Sequence, residues 1–349
     1  MNTEFVPIKD VEADRSWLVR AGELIRLGEL VAFPTETVYG LGGNALAPEA
    51  SRRIYAAKGR PSDNPLIVHI AEFSELAPLV AEVPKSAARL AKAFWPGPLT
   101  MILPKSGYVP LETTGGLDTV AVRMPSHPVA RELISESRCP IAAPSANVSG
   151  RPSPTCAEHV KEDLDGRIAM ILDGGPVDIG LESTIIDLTG KPMVLRPGYI
   201  TTGMLSAVLG EAVTIDPALL SADSSKRPKA PGMKYRHYAP RAQLLIVEGE
   251  DQKVVEHINR LSAEQRLQGK KVAVIATEET IPCYQADVAL CIGKRTDEDA
   301  IARHLYELLR QCDTLKIDRI YSESFATPRI GGAIMNRLLK AAGHQVVEV

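Results

Sequence analysis

The feature that most limits the fold is the rhythm of short apolar runs in the first two hundred residues. Such runs occur at 31–33 (VAF), 66–70 (LIVHI), 99–103 (LTMIL), 119–124 (TVAVRM), 141–143 (IAA), 168–172 (IAMIL), 183–188 (STIIDL) and 193–196 (MVLR). They are the length of strands and too short for helices, and Gly, Pro, Ser and Asn punctuate the gaps between them. Helical spacing appears at 14–30, with apolar positions at Trp17, Leu18, Ala21, Leu24, Ile25 and Leu27. It appears again at 48–58, with Pro48 at the first position, and at 84–94, 127–136 and 154–164. Strands outnumber helices and do not alternate strictly with them. The pattern predicts a mixed α/β domain on a twisted sheet, not a doubly wound one.

The pattern changes near residue 212. The stretch SSKRPKAPGMKYRHYAPR, 224–241, holds six Lys or Arg, three prolines and no acid, and reads as a long linker. Beyond it, strands at 243–248, 271–276, 287–292, 319–322 and 345–349 are interleaved with helices at 252–267, 298–311 and 332–342, a small βαβ-type domain. A chain of 349 residues exceeds one ordinary core. The expected division is 1–211, a linker at 212–241, and 242–349.

Charge and cysteine usage narrow the function. Forty Lys and Arg face 43 Asp and Glu, a net charge of -3, so no whole-protein attraction to nucleic acid is expected, although a local basic patch remains open. Cys139, Cys156, Cys283, Cys291 and Cys312 form no C-x-x-C pair, which argues for reduced thiols over a disulfide framework or zinc site. The first residues, MNTEFVPIKDVEADR, carry acids and no apolar core of a signal peptide, and the expected location is cytoplasmic. No P-loop is present, because the three Gly-Lys pairs are followed by Pro, Lys and Arg. H-E-x-x-H, G-x-S-x-G and the kinase signatures are missing too. Gly40-Leu41-Gly42-Gly43 lacks the full dinucleotide fingerprint and reads as a tight turn.

Four stretches set polar groups at the end of an apolar run: PTETVYGLG (34–42), KGRPSDNP (58–65), VAVRMPSHP (120–128) and APSANVSG (143–150). Strand ends facing a crevice are where such sheets collect ligand groups. Lys58 and Arg60 put two cations on a loop stiffened by Pro61 and Pro65, which suits phosphate and equally suits a solvated surface loop. Asn64, Ser145 and Asn147 add hydroxyl and amide groups. Arg123 interrupts an apolar strand and requires an anion, either an internal Glu or Asp or a ligand carboxylate. His69 in LIVHI fits a satisfied core histidine as well as a ligand group.

Taken together and in order, PTETVYGLG, KGRPSDNPL, FWPGPLT (94–100), VRMPSHP, PSANVSGRPSPT (144–155), ESTIIDL (182–188) and LRPG (195–198) resemble the YrdC/Sua5 family, the threonylcarbamoyl-AMP synthases. The linker APGMKYRHYAP (230–240) and the domain after it resemble the longer, two-domain Sua5 type. The resemblance implies a YrdC-like domain with a concave open face and a small Rossmann-like C-terminal α/β domain. It implies synthesis of L-threonylcarbamoyladenylate and pyrophosphate from L-threonine, bicarbonate and ATP with Mg²⁺, supplying t6A at position 37 of tRNA through a downstream threonylcarbamoyl transferase.

By the same resemblance, Lys58, Arg60, Ser145 and Asn147 form the catalytic signature. Arg60, Asn64, Thr119, Ser145, Ser153 and Arg196 align with ATP contacts, as do Tyr235 and His237 of the linker. Thr37, His69, Arg123, the Ala143 backbone and Ser183 align with threonine contacts. The linker is expected to close over the site as a lid. The competing expectation is an RNA-binding module using the basic linker, against which stand the acidic net charge and the lack of an aromatic RNP pattern. Carbamoyl transfer, as in hydrogenase-maturation proteins, is a third, and the missing C-x-x-C pairs speak against it.

Overall fold

The computed structural model describes residues 2–219, 230 and 237–349. The chain divides into two compact bodies. One comprises Met1–Ser149, Ser153–Asp178 and Glu182–Tyr235; the other comprises Gly150–Pro152, Ile179–Leu181 and Arg236–Val349. Two short pieces of the front half therefore belong to the second body.

The first body is built on an eleven-stranded mixed sheet. Its strands are β1 (Glu4–Pro7), β2 (Val31–Phe33), β3 (Gly40–Asn44), β4 (Ile67–His69), β5 (Leu99–Pro104), β6 (Thr119–Arg123), β7 (Ile141–Ala142), β8 (Met170–Asp173), β9 (Thr184–Asp187), β10 (Met193–Arg196) and β11 (Thr214–Ile215). They lie in the order β1-β8-β2-β3-β7-β4-β6-β5-β9-β10-β11. The helices are α1 (Arg15–Arg26), α2 (Pro48–Lys58), α3 (Lys85–Phe94), α4 (Pro128–Ser137), α5 (Ala157–Leu164) and α6 (Thr202–Leu209).

Period-two alternation decides what the middle of this sheet presents on each side. On β6, Val120 and Val122 join Val68, Met101, Leu103 and Ile186 in the main core. Burying each valine contributes about 1.5–3 kcal/mol. Ala121 belongs instead to a smaller cluster with Ile67, Ile102, Ile185 and Leu195. Thr119 and Arg123 share the parity of Ala121, so that second face is floored by aliphatics and carries polar groups at both ends.

The expected strands and helices named above are present, most within one to three residues of their expected ends. The glycine stretch after Phe33 differs from expectation: it is β3, not a turn. A Cβ at Gly42 would sit 2.8 Å from both Ile141 Cγ2 and Phe33 Cε1, so the missing side chain is what lets neighbouring residues close over the strand. Helix α6 lies outside the expected elements. Thr201 caps it by accepting from the Met204 amide at 3.3 Å, and Gly210 ends it at φ 74°.

The second body carries five strands, β12 (Gln243–Glu248), β13 (Val272–Ala276), β14 (Val288–Cys291), β15 (Arg319–Glu323) and β16 (Val346–Glu348), in the order β14-β13-β15-β12-β16. Every pairing is parallel. Helices α7 (Asp251–Leu267), α8 (Glu298–Thr314) and α9 (Gly331–Ala341) complete a small Rossmann-like α/β unit. Among the described residues no helix is long and apolar enough to cross a membrane.

Candidate active site

Register brings the predicted strand residues His69, Thr119 and Arg123 onto one face of the first sheet, with Ser183 and Arg196 beside them. Strand β4 pairs in parallel with β6, and His69 lies opposite Arg123. Strand β5 runs antiparallel to β6, with Thr100 opposite Arg123. Strand β9 runs parallel to β5, which brings Ser183, one residue before β9, beside Thr100; their hydroxyls are 2.8 Å apart. Arg196, at the end of β10, donates from Nε to the Ser183 carbonyl at 3.0 Å and from Nη2 to the Ser183 hydroxyl at 3.1 Å. His69, Arg123, Ser183 and Arg196 therefore gather at one end, and all are buried.

Thr37 completes that end. The Thr35 hydroxyl donates to the Val38 carbonyl at 2.7 Å and accepts from the Thr37 and Val38 amides, a tight side-chain turn that fixes residues 36 and 37. Arg123 Nη1 donates to the Thr37 hydroxyl at 2.9 Å. Its Nη2 forms an ion pair with Glu36 Oε1 at 2.8 Å, with both side chains almost wholly buried. The question posed by a charge in an apolar strand thus has an internal answer, Glu36, a residue outside the expected site. Burial, and then the Arg123 charge, push the His69 imidazole down to about 3. It stays neutral at ordinary pH, with Nδ1 3.1 Å from the Ile67 carbonyl.

The other end holds the cations and amides. Lys58 ends α2, is 1% exposed, and donates from Nζ to the carbonyls of Ser145 and Asn147. Its own carbonyl accepts from the Ser149 amide at 2.8 Å. Lys58 thus staples the Ser145–Ser149 loop to α2, and within that loop the Ser145 hydroxyl donates to Asn147 Oδ1 at 2.5 Å. Arg60 folds along its own loop, reaching the carbonyls of Asn64 at 3.3 Å and Pro65 at 3.1 Å. Asn64 is 1% exposed, and its side-chain oxygen is buried without a hydrogen-bond partner among the described residues.

Thr119 begins β6 at this end, four residues and about 13 Å along the strand from Arg123. The Ala143 amide donates to the Ile67 carbonyl at 2.9 Å. Ser153 is buried and donates to Glu182 Oε1 at 2.6 Å, beside Ser183. Between the two ends, Ala230 of the linker is fully buried against the Ile67, Ala121, Ile102, Ile185 and Leu195 floor. His237 is described in the second body, where its ring lies 5.5 Å from that of Tyr238. Tyr235 lies outside the described residues. Among the described residues no group of three or more His, Cys, Asp or Glu is placed to hold a metal ion.

Sequence reasoning missed Glu36 and Glu182. The signal for Glu36 was available: a buried arginine demands an acid, and Glu36 and Asp63 are the two acids in the four polar stretches.

Known proteins resemble this chain along nearly its whole length. A family model described as "Telomere recombination", the Sua5/YciO/YrdC model, matches residues 23–198. A second, described as "Threonylcarbamoyl-AMP synthase, C-terminal domain", matches residues 200–343. Threonylcarbamoyl-AMP synthase of Pyrococcus abyssi is 52% identical over 97% of this chain and 98% of that protein. The Bacillus subtilis protein of the same name is 50% identical over 98% of each. The crystal structure of P. abyssi Sua5 complexed with L-threonine superposes with a TM-score of 0.93 at 50% identity and covers 100% of both chains. This chain belongs to the Sua5/YrdC family of threonylcarbamoyl-AMP synthases, in its long two-domain form.

Proposed function

We propose that the chain makes L-threonylcarbamoyl-AMP and pyrophosphate from L-threonine, bicarbonate and ATP, the first step towards t6A at position 37 of tRNA. The observation that carries this reading is the two-ended face: buried arginines with hydroxyls and a neutral imidazole at one end, and at the other Thr119, about 13 Å along its strand from Arg123, with cations and amides on the neighbouring loops. An amino acid and a nucleotide triphosphate joined at the α-phosphate need that division. The P. abyssi relative with L-threonine bound supports it.

In this reading Arg123 receives the threonine carboxylate, and Thr37, His69, Ser183 and the Ala143 carbonyl surround the rest of the amino acid. The threonine amine and bicarbonate give a carbamate and water. A carbamate oxygen then attacks the α-phosphorus, a new P–O bond forms, and the bond to pyrophosphate breaks. Negative charge rises on the phosphoryl oxygens, where Arg60 and the Ser145–Asn147 loop held by Lys58 stabilise it. Asn64 and Thr119 complete the nucleotide end; the resemblance also assigns Ser153 and Arg196 to ATP, and both stand beside the threonine end, Ser153 donating to Glu182 and Arg196 to Ser183. Cations, amides and hydroxyls suit phosphate oxygens, and among the described residues no acidic or imidazole cluster is placed to hold a metal, so Mg²⁺ bound with ATP would be held mainly through the nucleotide and would offset phosphate charge.

Residues 1–211 are the catalytic part, 212–241 a lid, and 242–349 a companion domain. Burial of Ala230 on the floor of the site supports the lid, which keeps water from the carbamate and adenylate. A threonylcarbamoyl transferase then consumes the product.

Pyrophosphate release tests the reading. It should require L-threonine and bicarbonate, fall with valine or serine, and collapse in Arg60→Ala. Release independent of threonine overturns it. A chain ending near residue 212 should lose most synthesis; full activity sinks the lid.

A further inference from the structure

Glu36 is 5% exposed, sits among the threonine-side residues, and is used by no step above. Its carboxylate lies 2.8 Å from Arg123 Nη2, yet neither oxygen has a hydrogen-bond partner in acceptable geometry among the described residues. A buried carboxylate has about four acceptor sites, and leaving them unfilled is costly. A group that exists only to neutralise Arg123 would be expected to gather further donors. The turn built by Thr35 holds Glu36 and Thr37 side by side, and Thr37 already contacts the same guanidinium.

We infer that Glu36 and Arg123 together read the zwitterion of the amino acid, Arg123 taking the α-carboxylate and Glu36 the α-ammonium. The inference rests on the threonine site proposed above and adds a residue to it. A neutral buried pair accepts a neutral zwitterion without a net charge, and the charges then alternate around the four groups. A carboxylic acid lacking the amine would instead place an uncompensated negative charge beside Glu36. The ammonium offers three donors to a carboxylate short of them. Glu36 thus selects amino acids over hydroxy acids, while the hydroxyl groups nearby select among amino acids.

The test compares L-threonine with (3R)-3-hydroxybutanoate, the same molecule without its amine, in equilibrium binding to the full-length wild type and to Glu36→Gln. The wild type should prefer threonine by about 30-fold or more, the size of a charge-assisted hydrogen bond. In Glu36→Gln that preference should shrink to about threefold or less, with ATP binding retained. A merely structural role would weaken both ligands equally and leave the preference intact, which overturns the inference. Should the variant not fold, the wild type decides alone: equal affinity for the two ligands overturns it. Wild type that binds neither ligand overturns the threonine site as well, whereas threonine binding with an unchanged preference in the variant overturns only the role of Glu36.

Discussion

Two buried glutamates, one in each body, show how differently a fold can treat the same side chain. Glu323 ends β15 in the second body and is 2% exposed. Its Oε1 accepts from the Thr280 hydroxyl and from Tyr284 at 2.8 Å; its Oε2 accepts from the Thr277 amide at 3.4 Å and from Arg295 at 2.7 Å. Burial and this carboxylate together push the Tyr284 phenol far upward, so it remains a donor. Glu36 is also buried, and among the described residues it has one ion pair and no hydrogen bond in good geometry. A saturated carboxylate ties elements together. An unsaturated one beside a guanidinium, in a face lined by hydroxyls, is arranged for a ligand. The contrast separates stability from function within a single chain.

The largest effect expected from breaking this contrast is at the saturated end. Glu323→Ala strands Arg295, Thr277, Thr280 and Tyr284 together and should cost about 3–5 kcal/mol in denaturant unfolding of the second body. The folded fraction should bind threonine unchanged. Tyr284→Phe removes one charge-assisted bond and should cost about 1.5–3 kcal/mol in the same measurement.

His69 sharpens the comparison through pH. Its folded value of about 3 lies below the unfolded 6.5, so its contribution is present above pH 6.5 and lost as pH falls towards 3. Between pH 6 and 5 the wild type should lose up to about 1.4 kcal/mol more than His69→Gln, read by thermal or denaturant melts.

The smallest stability change is expected from replacing the unsaturated pair as a whole. Glu36→Gln with Arg123→Met should stay within about 1 kcal/mol of wild type, or exceed it, because a poorly hydrogen-bonded buried pair gains little over neutral packing. Threonine binding should vanish in the same protein. A loss of stability as large as that of Glu323→Ala would erase the distinction between the two carboxylates.

How much of this was visible in the sequence depended on whether each signal was local. The loops at 58–65 and 143–150 stood out because rigid prolines and polar groups follow or precede apolar runs, and the register of β4, β6 and β7 then carries them to one face. Arg123 announced the need for an anion, but no local rule says which acid answers a strand 87 positions away, and Glu36 was passed over. Strand β3 was hidden because GLGGN looks like a turn until Ile141 and Phe33 are seen pressing on Gly42. Lys58 read as a phosphate ligand, while its position at the end of α2 turns its ammonium onto two loop carbonyls. The Glu323 centre draws on residues 277, 280, 284, 295 and 323, which only the parallel sheet assembles.

The central claim is that one sheet face joins threonine, carbon dioxide as carbamate, and the α-phosphate of ATP. Its most direct test is incubation of the full-length protein with ATP, L-threonine and ¹³C-bicarbonate, followed by rapid mass detection of the adenylate. The account predicts a threonylcarbamoyl-AMP ion one mass unit heavier than with unlabelled bicarbonate, dependent on threonine and lost in Arg60→Ala. An unlabelled adenylate, a threonyl adenylate without the added carbon, or no adenylate at all would contradict it.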